Sequence, residues 1–212
     1  MAFSKVIKGR KFTQVLEGAR TVFLRDGFEG ASVDDIAREA GVSKATLYSY
    51  FPEKKMMLIE VARTEFQQLA DAAYGSVDLN DSAFSLLTTA AQIVAASVIS
   101  EFSTQVFRLS VAETVRFPVL AKEYYRAGPE LLAHRVGFLI AHLVQRGDLE
   151  VDDLELAATQ FAELASTRLH DLAQFGLRDQ ITDAEMTRVV NGAVRVFMAA
   201  YATEKGRAGI PR

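Results

Sequence analysis

"GVSKATLYSYF" (residues 41–51) is the stretch on which the reading of this chain turns. Gly41 stands where the chain must turn sharply, a place suited to a residue that takes positive φ without steric cost. Ser43 is an N-cap, and a helix of about 44–50 follows. Pro52 closes it, because the residue before a proline is pushed out of the α region. Leu47 and Phe51, at i and i+4, pack inward against Ile36 and Val42. Lys44 and Tyr48, with the same spacing, share the opposite face beside Ala45 and Ser49, and Thr46 and Tyr50 form a third flank. A core helix has no use for so many hydrogen-bonding groups. Something polar lies against the outer face.

Working outward, an amphipathic helix is expected over about 12–26, with Phe12, Val15, Leu16, Ala19, Val22 and Phe23 in one stripe and Gly27 at its end. "SVDDIAREAG" (32–41) is the next helix, with Ser32 as N-cap and Asp35 reaching back as a short-armed capping box. Two short helices joined by "AGVS" match a helix-turn-helix. A fourth helix starts near Glu53 and places Leu58, Val61, Ala62, Phe66, Leu69, Ala70 and Ala73 on one side. Further helices are expected at about 82–98, 101–115, 118–126, 129–146, 153–175 and 183–203, ahead of a frayed tail, "EKGRAGIPR". The fold class is all-α: a three-helix, helix-turn-helix domain at 1–55, then a helical ligand-binding and dimerisation domain at 56–212.

Charge divides along the same line. Residues 1–55 hold ten Lys/Arg against seven acids, whereas the remaining 157 hold fourteen against twenty. Only the front end suits a polyanion. Its basic arm at 5–11 suits either phosphates or simple solvation. No apolar run approaches the length of a bilayer span, and no secretory signal is seen at the start, so a soluble, cytoplasmic protein with no membrane partner is expected. Cysteine is absent, which removes disulfides, thiolate metal sites and Cys nucleophiles. His134, His142 and His170 fit no zinc spacing. No nucleophile elbow, Gly-rich phosphate loop or H-E-x-x-H occurs, so we expect no enzyme, no metal and no cofactor.

The outer end of the 44–50 helix has the chemistry of a major-groove reader. Lys44 can donate to guanine O6 or N7, Ala45 is short enough for close approach, and the Tyr48 ring or Ala45 suits a thymine methyl. Ser32, Thr46, Tyr50 and Lys54 suit phosphate oxygens. On these residues the segment "FLRDGFEGASVDDIAREAGVSKATLYSYFPEKKMML" (23–58) resembles the DNA-binding domain of the TetR family of transcriptional repressors. "GPELLAHRVGFLIAHLVQRGDLEVDD" (128–153) is similar to the AefR-like subgroup. The resemblance implies base contacts from Ser43, Lys44, Ala45 and Tyr48, and phosphate contacts from Ser32, Thr46, Tyr50 and Lys54. Lys55 stands where the family often has an acid, so it adds a contact or is solvated. A homodimer on double-stranded DNA with a palindromic operator is implied, released by a small-molecule effector.

In the body, Phe66, Phe102, Phe107, Tyr124, His134, Phe138 and His170 are candidates to line a pocket for a lipophilic effector. Two stripes, one with Phe161, Leu164, Ala165 and Leu172 and one with Val190, Val194, Phe197 and Met198, are read as the seam of the homodimer. The alternative is an all-α ligand carrier or enzyme whose front domain is vestigial.

Overall fold

The computed structural model describes residues 9–74 and 78–208, with the backbone alone at 69, 70 and 72–74. Leu69, Ala70 and Ala73 of the expected stripe, and Lys5 and Lys8 of the basic arm, therefore lie outside the described side chains. Among the described residues there is no strand, and one isolated bridge pairs Leu149 with Ala202. The chain is all-α. It divides into two compact units, Met1–Glu65 with Gln105–Tyr124, and Phe66–Thr104 with Tyr125–Arg212.

In the first unit, α1 (Arg10–Gly30) buries Phe12, Val15, Leu16, Ala19, Val22 and Phe23. The end expected at Gly27 is a kink: Gly27 turns to φ 69° and one more turn follows. α2 (Val33–Glu39) and α3 (Lys44–Tyr50) are the two helices of the turn motif. Gly18 lets α1 and α2 meet closely, since a Cβ there would sit 2.7 Å from the Ala40 nitrogen. α4 (Lys54–Tyr74) continues past the unit boundary at Glu65. Met57, Leu58, Val61 and Ala62 are buried.

In the second unit, α5 (Ala83–Ile99) packs with α8 (Leu131–Gln145), α9 (Leu154–Ser166) and α11 (Asp183–Tyr201) around one core. α6 (Glu101–Ala112) and α7 (Pro118–Tyr125) each cross the unit boundary. A break was expected at Gly128-Pro129. Instead a π-type turn, Arg126–Glu130, carries the helix from α7 into α8, and this register absorbs the proline's missing N–H. Conversely, the single helix expected over 153–175 is two, because Arg168 adopts φ 65° between α9 and α10 (Leu169–Gln174).

The seam residues are corrected by the packing. Phe161, Ala165, Leu172, Val190, Val194, Phe197 and Met198 are buried within this one chain, and Leu164 packs against the same core. Phe161 meets Phe197 edge-on at 5.0 Å between ring centroids. Both stripes were apolar because they face each other and α5. All of them except the partly exposed Leu164 are closed off from a second copy.

The frayed tail is corrected as well. Residues Glu204–Arg207 form α12, fastened to the loop after α8. Asp148 is buried and holds Arg146 at 2.6 Å and Lys205 at 3.1 Å. The Thr203 N–H donates to the Asp148 carbonyl at 3.1 Å. That carbonyl lies only 2.1 Å from where a Cβ on Gly206 would stand, so nothing larger than glycine fits. Residues 209–212 lie outside the described part.

Candidate nucleic-acid interface

α3 is held rigid by local hydrogen bonds and by what lies beneath it. The Thr46 N–H donates to Ser43 Oγ at 3.1 Å, and the two hydroxyls hydrogen-bond at 2.9 Å. Gly41 turns at φ 62°, and the Val42 N–H donates to the Ala37 carbonyl at 3.0 Å, which closes the link between α2 and α3. Leu47 and Ile36 are fully buried, as is Phe51 nearly, its ring 5.4 Å from that of Phe12. Tyr50 stands edge-on to the same Phe12 ring at 5.7 Å.

The opposite face is open. Ser43, Lys44, Ala45, Tyr48 and Ser49 are all exposed, Tyr48 by 48%. A short, anchored rod presenting an amine, a phenol, two hydroxyls and one methyl is what reading base edges in a major groove requires.

The residues expected to hold phosphates divide. At the start of α2 the Asp35 N–H donates to Ser32 Oγ at 3.0 Å, while the Ser32 hydroxyl donates to the Asp35 carboxylate. The reach-back ends on the hydroxyl rather than on the Ser32 backbone, because the aspartate arm is one methylene shorter than the glutamate of a full capping box. The Ser32 hydroxyl, and after it Arg38, hold the Asp35 carboxyl below the usual carboxylate range. Lys54 has an internal role where the sequence suggested a phosphate contact. Its ammonium donates to the carbonyls of Phe28 at 2.6 Å and Ala31 at 2.9 Å, and lies 4.4 Å from the Phe28 ring centre. It ties the start of α4 to the loop before α2. Lys55 is neither free nor merely solvated: it pairs with Glu53 at 2.6 Å and covers the Phe117 ring at 4.1 Å. Arg10 and Lys11, the described end of the basic arm, are exposed.

One neighbour was missed from sequence. Asp34, in the first turn of α2, forms an ion pair with Lys44. The only signal for it was an acid two residues beyond the α2 cap, which is ordinary helix-dipole chemistry and points to no partner.

Of the effector candidates, Phe66 and Phe102 form an edge-on pair at 6.4 Å in the second unit. Phe107 and Tyr124 pair at 5.9 Å in the first, and burial pushes the Tyr124 phenol up to about 12. Phe138, 74% exposed, and His134 face outward from α8 and line no interior of their own unit, which corrects that expectation. They fall on the side of α8 away from Val136, Leu139, Ile140 and Leu143, which fill the core. His170 is half-buried, its Nδ1 3.5 Å from Asp171 Oδ1.

Comparison with known proteins agrees with the all-α fold and its helix-turn-helix. Residues 15–61 match the family described as bacterial regulatory proteins, tetR family. Residues 85–203 match the AefR-like transcriptional repressor, C-terminal domain. Among solved structures, the fold is similar to a TetR-family transcriptional regulator from Mesorhizobium loti, with TM-score 0.78 and 25% identity over 92% of this chain and 98% of that one. It is also similar to the flavonoid-responsive regulator FrrA, with TM-score 0.68 and 30% identity over 92% of this chain and 99% of that one. Among curated proteins, the transcriptional repressor AcnR of Corynebacterium efficiens is 31% identical over 58 residues, 27% of this chain. The chain spans only about 30% of the length of the curated relatives it first matches.

Proposed function

The chain belongs to the tetR family of bacterial DNA-binding transcriptional regulators, and from that premise we propose that it is a repressor released from a palindromic operator by a small lipophilic molecule. The observation that carries the reading is the exposed face of α3, with Lys44 and Tyr48 projecting from a helix anchored below by Leu47. Residues 1–55 are the DNA-binding domain in this reading, and 56–212 bind the effector and a second copy. Ser43, Lys44, Ala45 and Tyr48 read bases, while Ser32, Thr46 and Tyr50 are the candidates to meet phosphates.

A homodimer places two recognition helices about 34–36 Å apart, or a multiple, which an inverted repeat matches. We assign its seam to the outward faces of α9 and α11, where Leu156 and Val196 are each about half exposed and Ala199 and Ala200 leave the helix surface low. The effector works through α4, whose start flanks the recognition helix and whose later turns belong to the second unit. Shifting the two recognition helices by a few ångströms uncouples one half-site. A coupling of about 1–3 kcal/mol then changes operator affinity some 5- to 150-fold.

The resemblance to a flavonoid-responsive regulator makes an aromatic polyphenol the first effector to try. Duplexes selected from a random pool should converge on an inverted repeat, and a member of a flavonoid panel should release the selected duplex. A pool that never enriches above the starting library would defeat the DNA-binding reading. An enriched duplex that neither flavonoids nor other lipophilic compounds release would defeat the effector half alone.

A further inference from the structure

We infer that Asp34 is a specificity-determining residue, an internal competitor that keeps Lys44 from ordinary phosphates and yields it only to the correct base. The inference rests on the DNA-binding role proposed above and extends it to a residue on the other helix of the motif. Lys44 opens α3 and Asp34 lies in the first turn of α2. Their side chains meet as an ion pair across the turn. Both remain open to solvent, Lys44 by 56% and Asp34 by 63%, so the pair can exchange and DNA can reach either partner.

Its neighbours are already committed. Asp35 is taken by Ser32 and Arg38, and Arg25 by Asp26. Asp34 is therefore the acid that faces Lys44 from the packed helix, and no basic side chain nearby shares it among the described ion pairs.

The consequence follows from how the two kinds of DNA binding differ. Non-specific binding is counted in cations placed against phosphates, each releasing counterions. A lysine held by its own carboxylate adds nothing to that count, and the carboxylate itself repels the backbone. At the correct site, guanine O6 and N7 offer the ammonium a pair of acceptors that a phosphate-only encounter lacks. Lys44 leaves Asp34 there and nowhere else. The pair thus lowers background affinity more than operator affinity, which widens the ratio between them.

The test compares wild type, Asp34→Asn, Lys44→Ala and the double variant on two labelled duplexes, the operator selected from a random pool and a scrambled one, by fluorescence anisotropy over a range of salt. Asp34→Asn should tighten the scrambled duplex about two- to fivefold, the scale of an exposed ion pair. It should steepen that duplex's salt slope by about 0.9, one more phosphate engaged. Operator affinity should change less than the scrambled affinity does, and both effects should vanish in the Lys44→Ala background.

Equal tightening of both duplexes, or tightening that persists without Lys44, overturns the inference, since either would reduce Asp34 to bulk repulsion. Weakened operator binding confined to one base position also overturns it, because Asp34 would then read a cytosine amino group itself. If wild type binds neither duplex, the DNA-binding reading falls and this inference falls with it; the other failures leave that reading standing. Circular dichroism of each variant confirms that the comparison is between folded proteins.

Discussion

Lys54 shows how one side chain can look like a DNA contact and be a clasp. Its ammonium replaces water for two carbonyls at the end of α1, which have no other use for their lone pairs in the helix ladder. Lys54→Met keeps the stem and removes the donors, so it should lower stability by roughly 1–3 kcal/mol in urea unfolding. The salt slope of operator binding should stay within a few tenths of wild type; a drop of about 0.9 would restore the phosphate role instead. Tyr124 offers a second test. Its phenol titrates near 12 in the folded chain because burial disfavours the phenolate, against 10.0 when unperturbed. The unfolded chain therefore loses this proton first. Stability from Tyr124 is intact below pH 10 and falls by about 1.4 kcal/mol per pH unit between 10 and 12. Tyr124→Phe should flatten that fall, and an unchanged slope would argue against the burial. Neither Lys54 nor Asp34 could be placed from sequence, for the same reason. Their partners lie 26, 23 and 10 residues away and come near only once the helices pack.

At the scale of the element, what was legible is what is local. The caps at Ser32 and Ser43 and the turn at Gly41 depend on neighbours three or four residues away, and each occurs as the spacing required. Tyr48 and Leu47 were separable because Leu47 shares its side of the helix with Phe51 and Tyr48 shares another with Lys44, each pair one turn apart. Breaks were harder. Gly128-Pro129 has the signature of a stop, yet the helix passes through it in a wider register, while at Thr167-Arg168 no glycine or proline announces a turn. Close approach between elements is likewise silent, as Gly18 shows. It reads as an isolated helix glycine, and only the packed structure reveals Ala40 against it. Gly18→Ala would gain helix propensity if α1 stood alone. Here a Cβ meets the Ala40 backbone at under 3 Å, so the variant should lose about 1–3 kcal/mol instead. Thermal unfolding decides between the two signs, and a higher melting temperature would mean that α1 and α2 can part without cost.

For the whole molecule, an apolar stripe states that a surface is covered and leaves open by what. The stripes of α9 and α11 were equally compatible with a partner and with the chain's own core, and the arrangement of α5 and α8 resolves them as core. The dimer surface proposed above therefore lies on the outward side of both helices, at Leu156, Val196 and Ala199, and Phe197 is left as a core residue. Phe197→Asp places a charge beside Phe161, with the Phe197 side chain 1% exposed, so it should unfold the chain rather than separate two copies. Val196→Glu is the discriminating variant. Val196 is half exposed and makes no part of the core, so a glutamate there is solvated in a single chain and costs it little. In a dimer built on this face, two glutamates would be brought together about the twofold axis and stripped of water. Sedimentation should therefore show monomers for Val196→Glu at concentrations where wild type is dimeric, with the helical signal and melting of the single chain retained. Operator binding should weaken steeply, because each half-site would have to be filled independently. A Val196→Glu protein that still sediments as wild type would place the seam elsewhere on the surface.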